Sequence, residues 1–249
     1  MFQGLYTITS GILTQNRKLN VISNNMANTG TAGYKRDEAT ITTFKDALLN
    51  RTEAKQREDI GPSSGITTIG KVQTHYGIGA YEDFENPLTF ALGDKGFFTI
   101  QTNNGNVYTR SGSFAIDDDG YLSLPGVGRV LGENGPIQLE TDRIICDGTG
   151  NIYTQNGNQL LGKLAIVDFP DREGQLSKQA NGVFKATGTI EKIDAPTVYW
   201  KKLESSNVEP IDEMTKMMSS QRNLQSDLQM IKIYDQLIGK IVTSLGPTQ

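Results

Sequence analysis

The sequence predicts an α+β chain, mainly β, in which discontinuous N- and C-terminal helices form a coiled coil around an inserted all-β domain. Two observations predict it. Both ends carry an apolar seven-residue repeat, and the long stretch between them reads as short strands separated by turn signals. The expected organisation is a terminal helical domain from residues 1–36 and 205–249, an extended connecting segment over 37–86, and a β-rich domain over 87–204.

The first helix is expected over about residues 3–26, with heptad positions Leu5, Ile8, Ile12, Gln15, Leu19, Ile22 and Met26. All but Gln15 are apolar, and a narrow seam of this kind wants a partner helix. The Asn-, Gly- and Thr-rich stretch Asn24–Gly33 then favours turns and left-handed conformations, so the helix stops there. The next residues are polar, with a weak helical pattern around Phe44–Leu49. Gly61-Pro62-Ser63-Ser64-Gly65 reads as an exposed turn, and one or two short strands are expected near Ile66–Thr74.

From Leu88 onward the pattern is β. Phe97–Gln101, a turn at Asn103–Asn106 and Val107–Arg110 make one hairpin. Ser113–Ile116, Asp117–Gly120 and Tyr121–Ser123 make another, and strand-sized runs follow to Ala186. Ser206 or Asn207 is expected to cap the last helix, with Glu209 three residues after Ser206 and Pro210 in the first turn. Its heptad positions are Met214, Met217, Gln221, Leu224, Leu228, Ile231, Asp235, Ile238, Val242 and Leu245. A second apolar row, Ile211, Met218, Met230, Tyr234, Leu237 and Ile241, widens the stripe beyond what one neighbour covers. By periodicity alone, a helix lying on its own globular core fits the same pattern.

Composition removes several function classes. Mean hydropathy is −0.40, and no run approaches the roughly 18 apolar residues of a membrane span. No apolar block follows a basic start, so a cleaved secretory signal is not expected. Cys146 and His75 are the only residues of their kinds, which argues against an internal disulfide and the usual zinc sites. Net charge is −4, unevenly spread. Residues 1–36 carry Arg17, Lys18, Lys35 and Arg36 and no acid, residues 205–249 carry four bases and five acids, and the middle therefore holds −7. Four basic residues without interleaved aromatics do not make a nucleic-acid surface.

No motif with catalytic spacing survives inspection. Asp117-Asp118-Asp119-Gly120 places Tyr121 and Leu122 where a calcium loop needs an acid and a glycine. The Gly77-Ile78-Gly79 and Gly126–Gly132 segments lack the strand-to-helix setting of a phosphate loop. No Ser/His/Asp set or carboxylate pair is singled out. Neither catalytic residues, a cofactor, a metal nor a small-molecule substrate is expected. Phe97, Phe98, Tyr199 and Trp200 read as core, with sugar binding as the alternative.

Asn24-Asn25-Met26-Ala27-Asn28-Thr29-Gly30-Thr31-Ala32-Gly33-Tyr34-Lys35-Arg36 resembles the N-terminal signature of bacterial flagellar rod and hook proteins. Leu203–Val208, Glu213-Met214, Gln221-Arg222 and Asp235-Gln236 resemble that family's C-terminal helix, and Pro87-Leu88, Gly96-Phe97-Phe98 and Tyr108–Phe114 its β domain. The motif positions carried over are Asn24, Asn25, Ala27, Asn28, Thr31, Gly33, Tyr34, Lys35, Arg36, Ser206, Asn207, Val208, Gln221 and Arg222.

The resemblance implies a non-catalytic subunit without a cofactor, exported through the flagellar type III apparatus without a cleaved signal. Such a subunit would polymerise helically with itself and other axial proteins, in the basal body outside the cytoplasmic membrane. The assembly surface expected is Leu5, Ile8, Ile12, Leu19, Ile22 and Met26 against Met217, Leu224, Leu228, Ile231, Ile238 and Val242. The length suits a rod protein and is short for a hook protein. Glu209-Pro210 and Leu131–Leu139 look closer to the proximal-rod type, while Gly61–Thr68 and the long 37–86 connector leave the distal-rod type open. The alternatives are a hook-type axial protein or a secreted wall- or carbohydrate-binding β module.

Overall fold

The computed structural model describes residues 2–43, 47–53, 56–63, 67–139, 141–155, 159–193 and 195–245. It is mainly β, with three α-helices among the described residues: α1 (Phe2–Ala27), the single turn α2 (Arg172–Gln175) and α3 (Pro210–Leu245). The chain divides into two compact units. One comprises Met1–Ala27, Asp37–Gln73 and Glu209–Gln249, the other Asn28–Arg36 and Thr74–Val208.

In the first unit α1 and α3 pack against each other antiparallel. A side chain at Gly4 would meet the Tyr234 phenol and one at Gly11 would meet Asp227, while Asn25 bonds Glu213. Each step forward along α1 is matched by a step back along α3. The apolar stripe of α1 turns inward as its spacing demands: Ile22 is buried, and Leu5, Ile8, Ile12 and Leu19 are half-buried. The hydroxyls on α1 bond the preceding turn, as Thr9 and Thr14 do to the Leu5 and Ser10 carbonyls at 2.8 Å, so they cost the helix little.

The segment after α1 differs from its expected pattern. Strand Asp37–Thr43 pairs with Thr67–Thr74, and strand Ala47–Glu53 with Gln56–Ser63. The weak helical period around Phe44–Leu49 loses to cross-strand pairing, Leu48 opposite Pro62 and Leu49 opposite Gly61. Residues 44–46 lie outside the described part. The turn expected at Gly61–Gly65 is strand as far as Ser63, with a register shift at Leu49/Asn50, and residues 64–66 are again not described.

The second unit is antiparallel β. Its main sheet runs, in spatial order, Leu176–Lys178, Val183–Ala186, Gly105–Thr109, Phe97–Thr102, Gly128–Gly132, Leu122–Leu124 and Ala115–Ile116. Strand Ile166–Asp168 also pairs with the start of Phe97–Thr102. That central strand is buried on both faces, which is why its sequence is not a simple alternation. Phe98 and Ile100 face a large core with Phe90, Leu122, Val130 and Ile152. Phe97 faces a smaller aromatic cluster with Tyr108, Phe169 and Phe184, its ring edge-on to Phe184 at 5.5 Å.

The expected hairpins are present at 97–109 and 115–124. The acidic turn is closed from within: Asp117 Oδ1 accepts from the Tyr121 and Asp119 amides, and Asp117 Oδ2 accepts from Arg129 Nε at 2.7 Å. A three-stranded sheet, Ile144–Cys146, Asn151–Thr154 and Leu160–Lys163, completes the large core with Cys146 inside it.

Candidate functional site

The two terminal motifs meet, residue against residue, in the β unit. Strand Tyr81–Asp83 pairs with Lys202–Glu204, Glu204 opposite Tyr81. The segment 28–36 lies beside this pair and is held by its own turn, with the Tyr34 amide on the Thr31 carbonyl and Thr31 Oγ1 on Asn28 Oδ1. The Gly33 amide donates to the Glu204 carbonyl at 2.7 Å. Gly33 has φ +66°, and a Cβ there would lie 2.4 Å from the Arg110 carbonyl carbon, so both backbone and space require glycine.

Glu204 is the centre of this crossing. Its carboxylate is 1% exposed and takes three donors. Oε1 accepts from Lys35 Nζ and from the Gly79 amide at 3.1 Å, and Oε2 accepts from Arg110 Nη1 at 3.3 Å. Lys35 Nζ donates in addition to the Gly77 carbonyl at 2.8 Å. Burial pushes the Lys35 ammonium and the Arg110 guanidinium below their usual ranges, and Glu204 opposes the shift in each. Two buried cations thus depend on one carboxylate. Arg110 also lies over the Phe97 ring, 5.5 Å from its centroid.

Asn207 closes the other side. Its Oδ1 accepts from the Arg36 amide at 2.7 Å, and its Nδ2 donates to the His75 and Gly77 carbonyls at 2.8 and 3.1 Å. Its own amide reaches the Tyr34 carbonyl at 3.3 Å. The Lys178 ammonium sits 3.7 Å from the centroid of the buried Tyr34 ring and donates to the Lys35 carbonyl at 2.6 Å. The expected capping box is therefore corrected. The Asn207 side chain is spent on the crossing, and the Ser206 hydroxyl accepts from the Val208 amide instead of reaching into α3. Pro210 does open the helix.

Within the helical unit, Asn25 is a buried bracket. Its Oδ1 accepts from the Asp37 amide at 2.9 Å, and its Nδ2 donates to the Asp37 carbonyl and to Glu213 Oε2 at 3.1 Å. Asn24 and Ala27 are exposed, as are Gln221 and Arg222 on α3. Met217, Leu224 and Ile231 are half-buried, alternating on the inward face with Glu213, Ser220, Asp227 and Tyr234. Leu228 and Ile238, placed on the same seam from periodicity, are 46% and 40% exposed. Met26 is half-buried, and the side chain of Val242 lies outside the described part.

Sequence reasoning missed Arg110 and Glu204 as partners of Lys35. The available signal was a lone charge inside each of two strand-like motifs, Tyr108-Thr109-Arg110 and Leu203-Glu204-Ser205. Among the described residues no group of three or more metal-ligating side chains is close enough to hold an ion. No helix of the described residues is long and apolar enough to cross a membrane. Trp200 is half-buried against the large core, its indole donating to the Pro87 carbonyl at 2.8 Å.

The crossing ties the two chain ends together within the β unit, and the two long helices pair within the other unit. Three family profiles match in chain order: the flagella basal body rod protein over residues 5–35, the flagellar hook protein FlgE/F/G D1 domain over 91–144, and the flagellar basal body rod FlgEFG protein C-terminal region over 201–244. The chain is 32% identical to the flagellar basal-body rod protein FlgG of Bacillus subtilis (strain 168), across 97% of this chain and 98% of that protein. It is 25% identical to the flagellar basal-body rod protein FlgF of Caulobacter vibrioides, across 99% of each. It is likewise 25% identical to the flagellar hook-basal body complex protein FlhO of Bacillus subtilis, across 99% of each. The chain belongs to the flagellar basal-body rod protein family, a structural family of the flagellum.

Proposed function

We propose that this rod subunit polymerises helically through its terminal helices into the axial shaft that carries torque from the motor to the hook. The observation behind this reading is the surface of α3. Besides the face turned to α1, it leaves Met214, Met218, Leu228, Ile233, Leu237 and Ile238 exposed, a load of apolar surface that calls for neighbours. Each such side chain contributes about 1.5–3 kcal/mol when fully covered. On this reading α1 and α3 make a coiled-coil inner layer, residues 37–86 connect outward, and residues 87–204 form the outer β domain.

The subunit leaves the cell through the flagellar type III apparatus without a cleaved signal and meets other axial proteins above and below. Its place is the proximal rod. The names of the FlgG and FlgF relatives do not separate a proximal from a distal place, so the choice rests on Glu209-Pro210 and the Leu131–Leu139 segment. Quantitative mass spectrometry of isolated hook–basal bodies tests both statements. A small copy number supports the proximal place, and a several-fold larger one moves the subunit to the distal rod. Absence from the particle overturns the rod assignment.

A further inference from the structure

The two central strands of the β unit leave a hydroxyl unused. Thr99 stands opposite Tyr108 where Phe97–Thr102 runs against Gly105–Thr109. Thr99 is 6% exposed, and its Oγ1 is buried with no hydrogen-bond partner among the described residues. Other buried threonines of this unit are satisfied. Thr89 Oγ1 donates to the Asn86 carbonyl at 2.7 Å, and Thr109 Oγ1 to the Gly182 carbonyl at 3.3 Å. A buried hydroxyl left alone is a cost that native folds rarely carry. Burial pushes the Tyr108 phenol up, so it keeps its proton and remains a donor at neutral pH. Both residues line one trough of about 580 Å³, and small-molecule sites hold roughly 300–1,000 Å³. Asn106 and Asn134 add two amides to its lining, and Lys192 an ammonium. Lys192 is exposed and makes no ion pair among the described residues. The acid of the lining, Glu133, already accepts from Lys163 Nζ at 2.6 Å. Between these groups the lining is apolar, with Leu131, Val167 and the 45% exposed Ile190.

We propose that this trough binds a small aliphatic carboxylate. The carboxylate accepts from the Thr99 and Tyr108 hydroxyls, Lys192 supplies the opposing charge, and the alkyl chain lies on Leu131, Val167 and Ile190. The lining selects this class of ligand. Its uncommitted polar groups, two hydroxyls, two amides and an ammonium, can all donate, and its uncompensated charge is positive. The matching ligand is therefore an anion. A single ammonium suits a monoanion better than a phosphate, which takes an arginine fork or a row of backbone amides. The apolar half of the lining calls for a hydrocarbon part. A sugar would look for an open aromatic face, and the Tyr108 ring already packs against Phe169 with centroids 4.9 Å apart. The trough lies wholly within the β unit, so the site is independent of the rod reading.

Titration of the isotope-labelled full chain with sodium octanoate, followed by amide NMR shifts, tests the site. Saturable shifts at the amides of Thr99, Asn106, Val167 and Lys192, with a dissociation constant below about 1 mM, are the expected result. Hexanoate should bind several-fold more weakly, since each methylene adds its own share of apolar burial. Lys192→Gln alters an exposed side chain and leaves the fold intact, and it should weaken octanoate binding about tenfold. Thr99→Val removes the hydroxyl and should weaken binding by a similar factor. Without ligand, Thr99→Val should be no less stable in urea than the wild type, because the lost hydroxyl has no partner to leave behind. Clear destabilisation would show that Thr99 is already satisfied and overturns the proposal. Shifts absent from these amides or confined to α3 also overturn it. So do equal binding of hexanoate and octanoate, inorganic phosphate binding as tightly as octanoate, and unchanged octanoate affinity in Lys192→Gln.

Discussion

Glu204 shows how one side chain can hold a distant pair of sequence motifs together. Its carboxylate balances two buried cations, so removing its charge is worse than removing either partner. Glu204→Gln should destabilise the β unit by about 3–5 kcal/mol, the usual cost of orphaning a buried charge. Lys35→Met should cost clearly less, because Arg110 still balances the carboxylate. Urea unfolding followed by the fluorescence of Trp200, the single tryptophan, measures both. Equal losses in the two variants would show that the charges are not coupled through Glu204. Cys146 carries a second residue-scale prediction. Burial pushes its thiol up to about 12, against 9.0 for the unperturbed group. Above pH 9 the unfolded chain releases this proton while the folded chain keeps it. The stabilisation is therefore complete below about pH 9 and is lost as pH rises toward 12, at roughly 1.4 kcal/mol per pH unit. Wild type should lose stability across that window faster than Cys146→Val, and parallel curves would mean the thiol does not titrate as its burial demands.

The elements themselves were largely legible in the sequence, because periodicity and turn chemistry are local. Both long helices, the 97–109 hairpin and the acidic turn at 117–120 follow from such signals. The strand pairing of Ala47–Glu53 was not legible, since its partner decides it and its own pattern is weak. The seam of α3 was half legible. Met217, Leu224 and Ile231 belong to it, whereas the rungs between them are Glu213, Ser220, Asp227 and Tyr234 in place of Met214, Gln221, Leu228 and Asp235. An apolar template cannot find those positions. They are chosen by what α1 presents, small Gly4 and Gly11 and the amide of Asn25, which admit a phenol and carboxylates. The crossing at Glu204 was invisible for a related reason: Lys35, Arg110 and Glu204 are far apart in sequence and only the strand register brings them together. Leu224→Asp or Ile231→Asp should block polymerisation, measured by sedimentation, and leave the β-sheet circular dichroism signal intact. Loss of that signal would place the helix in the core of the β unit.

At the scale of the whole chain, stability is expected to be uneven. The β unit has two apolar cores and a strand buried on both faces, while the helical unit leaves much of α3 exposed. Isolated helices with uncovered faces are marginal. In the free subunit, backbone amides of α1 and α3 should therefore exchange with solvent much faster than those of Phe97–Thr102, as read by hydrogen–deuterium mass spectrometry. Equal protection would mean that the helices are already settled before assembly. The crossing also has a mechanical consequence. The chain leaves the β unit at Asn207, whose amide bonds the carbonyl of Tyr34, a few residues from where the chain came in. Tension applied through the helices would run from Arg36 to Asn207 through that short bridge and bypass the sheet. On the proposed rod reading, most of the β unit would then carry little of that load, while the bridge at Lys35, Glu204 and Asn207 bears the strain.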